Sequence, residues 1–361
     1  MIIFREARRS LNQSLKPWYT DFSIERKRDL EKDTYEVASS EKARYILLER
    51  GKGIYHEEML AFDGRSAVKP LFLTFANIEK LLGDGSIKKN IENDGQDFLL
   101  VWVGKIGEVN YWSIYLESPP SQTTASCINT FSDKYRSDES YTVRCAPLRE
   151  FGDNLESRTE ATLLGTANGL VEFHKSHKFC SKCGGATVTS KAGACRRCES
   201  CRSSVYPRID GAAIMLITTQ CKQYALLGRK SKWPTGRYST LAGFAEVGES
   251  LEQCCARETL EESGIQVDLD SVRFVASQPW PFPRSLMIGF RGEAIEPGLP
   301  KIRVDEEEME DIRWFAKDYV AQRLEGGSTA LGYQPSREEE EFHLPGKASL
   351  ARLLISQWAK E

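Results

Sequence analysis

Apolar positions change their spacing along the chain, and those changes divide it. From Phe98 to Glu117, apolar and aromatic residues alternate with polar ones in two runs that meet near Gly107-Glu108, which predicts two paired strands. Residues 159–177 predict a helix leading into a cysteine-rich segment at 178–206. Beyond Tyr206-Pro207, short apolar runs predict strands at Ala212–Thr218, Tyr224–Arg229 and Tyr238–Phe244, and again at Phe274–Ser277, Leu286–Ala294 and Ile312–Phe315. Between these groups, Leu251–Ser263 contains neither Gly nor Pro and is bracketed by Gly248 and Gly264, as a helix with a glycine stop would be. Lys347–Lys360 predicts a closing amphipathic helix with Leu350, Leu353, Leu354 and Trp358 on one side. Strands mixed with flanking helices imply an α+β chain whose C-terminal part is an αβα sandwich. The boundaries fall at 1–155 for a separate N-terminal α/β domain, 156–206 for a linker helix with the cysteines, and 207–361 for the sandwich.

The helix at 251–263 carries more acid than packing requires. Glu258, Glu261 and Glu262 sit at i, i+3 and i+4 and so share a face. Close carboxylates repel, and a hard divalent cation such as Mg²⁺ relieves that repulsion through oxygen ligands. The plainer reading is a solvated acidic face. The opposite stripe, Leu251, Cys255 and Thr259, is small and fairly apolar and suits a core.

Charge and length limit the function classes. The 361 residues are enough for two or three domains, and the formal net charge is −3. That balance gives no global basic field for nucleic acid or anionic lipid. No apolar run approaches a membrane span. Met1–Leu30 has Arg5, Arg8, Arg9, several Ser and scattered apolar residues, but also Glu6 and acids from Asp21 onward. It is compatible with a mitochondrial transit peptide and with an ordinary N-terminal segment.

Five of the ten cysteines lie between 180 and 201, which is a cluster and not a disulfide framework. A reducing, intracellular setting follows: the cytoplasm, or the mitochondrion if the N-terminus is a transit peptide. Cys180-x2-Cys183 and Cys198-x2-Cys201 have the spacing of a closed, tetrahedral, structural Zn²⁺ site. Cys195-x2-Cys198 also fits, and redox chemistry at Cys180-x2-Cys183 is the alternative use of that pair. His174 and His177, just upstream, are either ligands or packing residues.

A third feature is Ser277-Gln278-Pro279-Trp280-Pro281-Phe282-Pro283-Arg284-Ser285. Three prolines in five residues stiffen this loop and interrupt regular structure. Trp280 and Phe282 are then either faces on which a nucleobase stacks or anchors into a core.

Residues 243–265 resemble a Nudix box, G-x5-E-x7-R-E-U-x-E-E-x-G-U. Gly243, Glu249, Arg257, Glu258, Glu261, Glu262, Gly264 and Ile265 fall on the pattern; Thr259 departs from the bulky aliphatic U. Thr is nearly isosteric with Val, and its hydroxyl can bond the carbonyl one turn back. The order of zinc cysteines, Tyr206-Pro207-Arg208-x-Asp210, the box and then S-Q-P-W-P-F-P-x-S resembles the NADH pyrophosphatase (NudC-like) family of Nudix hydrolases, from about residue 159 to the C-terminus. Gly211 stands where the family usually has Pro, and Gly193 where the bacterial enzymes carry a substrate-contacting Glu.

The resemblance implies a Nudix fold, a homodimer, and hydrolysis of NAD(H) at its pyrophosphate to nicotinamide mononucleotide and AMP. It places Mg²⁺ or Mn²⁺ on Glu258, Glu262, Glu308 and the carbonyl of Ala242, and Zn²⁺ on Cys180, Cys183, Cys198 and Cys201, leaving Cys195 inert. Glu261 or Glu262 would serve as the base. Tyr206, Gln278, Pro279, Trp280, Pro281, Phe282, Pro283, Arg284, Ser285 and Ala351 match substrate contacts. Arg257 orients the acidic face by ion pairing. Two alternatives stay open. One is removal of NAD caps from RNA, for which Arg229, Lys230, Lys232 and Arg284 offer positive charge. The other is an NAD(H)-binding sensor without catalysis.

Overall fold

A computed structural model describes residues 34–49, 52–59, 66–93, 97–116, 141–148, 155, 157–325 and 342–361. Met1–Leu30, compatible with a transit peptide or an ordinary N-terminal segment, lies outside them. The elements in chain order are α1 (Thr34–Ser39), β1 (Ala43–Glu49), β2 (Lys52–Met59), β3 (Ser66–Pro70), β4 (Leu73–Thr74), α2 (Phe75–Leu82), α3 (Ser86–Glu92), β5 (Leu99–Ile106), β6 (Val109–Leu116), β7 (Tyr141–Pro147), α4 (Arg158–Ser176), β8 (Thr187–Ser190), β9 (Cys195–Cys198) and β10 (Ser204–Val205). There follow β11 (Asp210–Thr218), β12 (Tyr224–Arg229), β13 (Leu241–Phe244), α5 (Leu251–Ser263), β14 (Val267–Trp280), β15 (Ser285–Ala294), β16 (Asp311–Ala316), α6 (Lys317–Glu325) and α7 (Leu350–Lys360). The described residues form two compact units: an N-terminal one that ends at Ile209 but includes Trp280–Arg284, and a C-terminal one holding Asp210–Pro279 and Ser285–Glu361.

In the N-terminal unit a seven-stranded sheet runs β3-β2-β1-β6-β5, with β4 on β1 and β7 on β2. The strand pair expected around Gly107 is β5–β6, turning at Gly107 with φ +55°. Trp112, Ile114, Tyr45 and Leu47 fill its core beneath Ile78 and Ile87 of α2 and α3. The remaining strands there were not legible in the sequence. A second sheet, β10-β9-β8, carries the cysteines.

The C-terminal unit is a six-stranded mixed sheet, β14-β15-β11-β12-β16, with β13 on β11. β11 is central, and it pairs in parallel with β15 from Asp210↔Ser285 to Thr218↔Glu293. Both its faces are covered, so its run Ala212–Thr218 is apolar without alternation. Ala213, Met215 and Ile217 point to one side, where Cys254 and Cys255 of α5 join them. α7 packs against β11 and β15. Trp358 is fully buried and its indole N–H donates to the carbonyl of Lys222 at 2.9 Å. This is the expected αβα layering.

Several boundaries differ from expectation, and β14 runs on through Pro279 to Trp280, where the prolines were expected to interrupt regular structure. β14 begins at Val267 because Val267 and Val272 reach the core across exposed Asp268–Asp270, an interruption that hides the strand from an apolar-run reading. β13 begins at Leu241 and not Tyr238. α7 begins at Leu350, since Ser349 is its N-cap and accepts from the N–H of Arg352.

Gln278 joins strand to helix inside this unit. Its side chain is 1% exposed; Nε2 donates to the Ala348 carbonyl at 2.6 Å, and Oε1 accepts from the Leu350 N–H at 2.7 Å. Gln278→Leu strands that buried donor and acceptor. We expect it to lower unfolding free energy by about 2–4 kcal/mol, read from the midpoint of urea denaturation.

Candidate active site

The site is built on α5. Ser250 and Gln253 form a reciprocal capping box at its start, at 3.2 and 2.9 Å, and Gly264 ends it at φ +71°. Thr259 is fully buried and its hydroxyl donates to the Cys255 carbonyl at 2.7 Å. The departure from the aliphatic pattern is thus absorbed within the helix. Leu251, Cys255 and Thr259 face the core as expected.

Arg257 gathers the acids. Nε and Nη2 grip Glu249 as a fork at 2.8 and 3.0 Å, while Nη1 donates to Glu258 and to Glu261, each at 2.9 Å. Nη2 also donates to the Phe244 carbonyl at 2.9 Å, tying the helix to β13. This bidentate fork holds the Glu249 carboxyl below its ordinary range. Gly243 makes the approach possible: a Cβ there would lie 1.8 Å from the Glu258 carboxyl carbon. The box glycine is therefore the space that Glu258 occupies, next to Ala242 on the same strand.

The three helix acids do not behave alike. Glu261 is mostly exposed and turned to Arg257. Glu258 is partly buried, and burial raises its pKa against the pull of Arg257. Glu262 is 2% exposed, and one of its carboxylate oxygens, Oε2, finds no hydrogen-bond partner. Burial pushes its pKa up to about 7, with Glu258 and Glu308 adding negative field and Lys230, 3.7 Å away, opposing it. Glu308, on the loop before β16, is exposed and acts electrostatically on both Glu258 and Glu262. A buried carboxylate oxygen without a hydrogen-bond partner, in the negative field of two further carboxylates, has the chemistry of a cation site. Lys230 was not legible as part of it, because no motif links it to α5.

The proline-aromatic segment divides between the units. Pro279 and Ser285 stay with the C-terminal sheet, as does buried Ala351 on α7. Trp280–Arg284 clusters with the N-terminal unit, where Tyr206 also lies. There, Asn168 of α4 donates to the Pro281 carbonyl at 2.6 Å, and Arg284 donates to the Ser176 hydroxyl at 3.1 Å. Trp280 and Phe282 are half-buried and meet edge to face, with centroids 5.4 Å apart. Asn168 was missed, since one amide in a helix gives no sequence signal.

The four cysteines converge. Cys180, Cys183, Cys198 and Cys201 place their sulfurs within 4.8 Å of one another, with Cys180–Cys201 at 3.7 Å and Cys183–Cys198 at 3.5 Å. Tetrahedral Zn–S bonds of about 2.3 Å put sulfurs roughly 3.8 Å apart, so the set fits Zn²⁺. The Ser203 hydroxyl, 3.3 Å from Cys201, helps bring that thiol down to about 6. Cys195 lies outside the set and points to the Ser190 carbonyl at 3.9 Å. His174 is a packing residue: Nε2–H donates to the Gly193 carbonyl at 2.8 Å, Nδ1 accepts from Arg196 at 3.1 Å, and burial pulls its pKa down to about 4. Gly193 has φ +89°, and a Cβ there would sit 2.6 Å from Val101, which leaves no room for a glutamate side chain.

Two segments of the chain match known protein families. Residues 207–330 match the NUDIX domain, which defines the class. Residues 175–206 match the NADH pyrophosphatase zinc ribbon domain. The NAD-capped RNA hydrolase NudC of Mycobacterium bovis is 36% identical over 222 residues, 62% of this chain and 67% of that protein. The chain belongs to the NADH pyrophosphatase family of Nudix hydrolases. The mouse protein named NAD(P)H pyrophosphatase NUDT13, mitochondrial, is 39% identical over 202 residues; that match spans about half of each chain, 56% of this one and 55% of the relative. A solved Nudix hydrolase from Nitrosomonas europaea is similar over 46% of this chain and 97% of its own at 23% identity, with a TM-score of 0.33.

The burial of Glu262 sets a pH dependence. Its folded pKa lies above the ordinary 4.5, so the protonated form is the one that folding favours. In Mg²⁺-free solution stability therefore falls as pH rises from about 4.5 through about 7, by up to ~3 kcal/mol. Melting curves of wild type and Glu262→Gln across this range check it: the difference between them should grow with pH, and Mg²⁺ should close it.

Proposed function

We propose that this protein is a divalent-metal-dependent diphosphatase of NAD(H), giving nicotinamide mononucleotide (reduced, from NADH) and AMP. The observation that carries this reading is the buried Glu262 carboxylate, whose Oε2 has no hydrogen-bond partner and which lies in the negative field of Glu258 and Glu308. Family membership supplies the substrate class. Glu258, Glu262 and Glu308, with the carbonyl of Ala242, would hold Mg²⁺ or Mn²⁺. Such a cation, when bound, neutralises the diphosphate and the leaving phosphate oxygen.

The chain's own residues do the rest. Arg257 fixes the Glu258 carboxylate against Gly243, so it does not rotate into solvent. Lys230 shares the negative field at Glu262. Glu261 or Glu262 accepts a proton as water attacks phosphorus and the bridging P–O bond breaks. The family resemblance supports Trp280, Phe282 and Tyr206 as substrate contacts, and Asn168 holds the loop backbone. Gln278 positions the start of α7, which bears Ala351. The cysteine set holds a structural Zn²⁺. The resemblance also supports a homodimer, to be read by sedimentation. The mouse relative's name supports testing the mitochondrion as its compartment.

Purified protein with NADH and Mg²⁺ or Mn²⁺ should release reduced nicotinamide mononucleotide and AMP. Absence of turnover alongside brisk hydrolysis of other dinucleotides would reject the reading. Glu262→Gln should lower turnover on the order of 10²–10⁴ at saturating Mg²⁺ while the protein stays folded. Cys198→Ser should instead release zinc and lower the melting temperature, as metal analysis and calorimetry would show.

A further inference from the structure

Cations are shared unequally among the acids of the C-terminal unit. Arg257, on α5 itself, serves Glu249, Glu258 and Glu261. Glu262 is 2% exposed and takes its cation from another element. Among the described residues its ion pair is with Lys230, just past the end of β12, at 3.7 Å. That separation is longer than a formed hydrogen bond, so the contact is electrostatic. Glu262 Oε2 still has no hydrogen-bond partner.

The backbone delivers Lys230 to this spot. Its neighbour Arg229 pairs with Glu310 at 2.5 Å and donates to the carbonyls of Trp233 and Pro234 at 3.3 and 3.4 Å. The Arg229 carbonyl accepts from the Glu310 N–H at 2.9 Å, and the Lys230 carbonyl accepts from the Trp233 N–H at 2.9 Å. The loop that carries Glu308 is in turn tied to the end of α5. There the N–H groups of Arg303 and Asp305 donate to the carbonyls of Ser263 and Glu262 at 2.8 and 3.1 Å. The Lys230 backbone is thus anchored to the loop that borders the acidic site. Its side chain is not: it is 31% exposed, and a lysine stem is flexible enough to withdraw into water while the backbone stays fixed. The sequence offered Lys230 as positive charge for RNA, but in the fold its ammonium is turned to Glu262.

An ammonium and a divalent cation compete for one carboxylate. We propose that Lys230 is a resident counter-cation of the metal site: its ammonium holds Glu262 in place while no divalent ion is bound, and by competing with that ion it sets the concentration at which the site loads. This rests on the metal-site reading given above. Lys230 is a positioning residue here, acting through Glu262.

The test titrates the full chain, loaded with zinc and dialysed free of other divalent ions, with Mn²⁺. Binding is read from loss of the electron paramagnetic resonance signal of free Mn²⁺. Thiolates are poor ligands for Mn²⁺, and zinc content is measured throughout, so the titration reports the carboxylate site. K230M and K230Q should bind Mn²⁺ roughly tenfold more tightly than wild type, the repulsion of one positive charge about 5 Å from a divalent ion having been removed. K230R keeps the charge and should stay within about threefold of wild type. Without Mn²⁺, K230M should melt below wild type, and saturating Mn²⁺ should close the gap. In the Glu262→Gln background, K230M should lose most of its effect on Mn²⁺ affinity, which marks action through that carboxylate. A merely structural lysine would leave metal affinity unchanged or weaken it on removal. K230M and K230Q that bind Mn²⁺ no more tightly than wild type, a K230R as tight as K230M, or a metal-free K230M as stable as wild type each overturns the proposal. A wild type that is full of zinc yet binds no Mn²⁺ overturns the metal-site reading, and the proposal with it.

Discussion

A guanidinium surrounded by carboxylates is the constraint on which the C-terminal unit depends. Arg257 bonds Glu249, Glu258, Glu261 and the Phe244 backbone at once. Those bonds fix the loop before α5, the strand beside it and the acidic face of the helix in one arrangement. Fork geometry lets a single side chain do this where a lysine would not. The same network leaves Glu262 out. Its charge sits in the interior with Lys230 at 3.7 Å as a partial counterweight, and an ionised carboxylate there needs more cation than the protein supplies.

Close packing and chemistry are coupled at two glycines. Gly243 gives its missing side chain to the Glu258 carboxyl, so strand and helix meet at the spot where negative charge is required. Gly193 meets Val101 in the same manner and has a left-handed backbone. The first opens space for a functional carboxylate. The second closes space for one. Any contact that relatives make through a side chain at the Gly193 position must be made by another residue here or be absent.

The N-terminal unit contributes scaffolding and surface. α4 carries Asn168 and Ser176, which hold Pro281 and Arg284, and His174, which remains neutral so that it accepts from Arg196 while donating to Gly193. A protonated His174 would face that arginine with like charge. One helix thus supports the aromatic loop and the cysteine ribbon with ordinary hydrogen bonds.

Much was readable from residues alone. The α5 boundaries and the αβα layering follow from local rules, helix period and glycine stops, whereas the choice of Cys198 with Cys201 over Cys195 and the pairing role of Arg257 came from the family resemblance. Thr259 bonding one turn back is equally local. The N-terminal half of β14 was lost because exposed Asp268 and Asp270 interrupt it. What tertiary structure alone decided is which of three similar glutamates is buried. Glu258, Glu261 and Glu262 are near neighbours in sequence, yet burial depends on β13, Lys230 and the Glu308 loop, which no helical spacing encodes. It also decided that Gln278 spends both amide ends on the α7 N-terminus, since a buried polar group takes whatever partner the folded backbone brings to it.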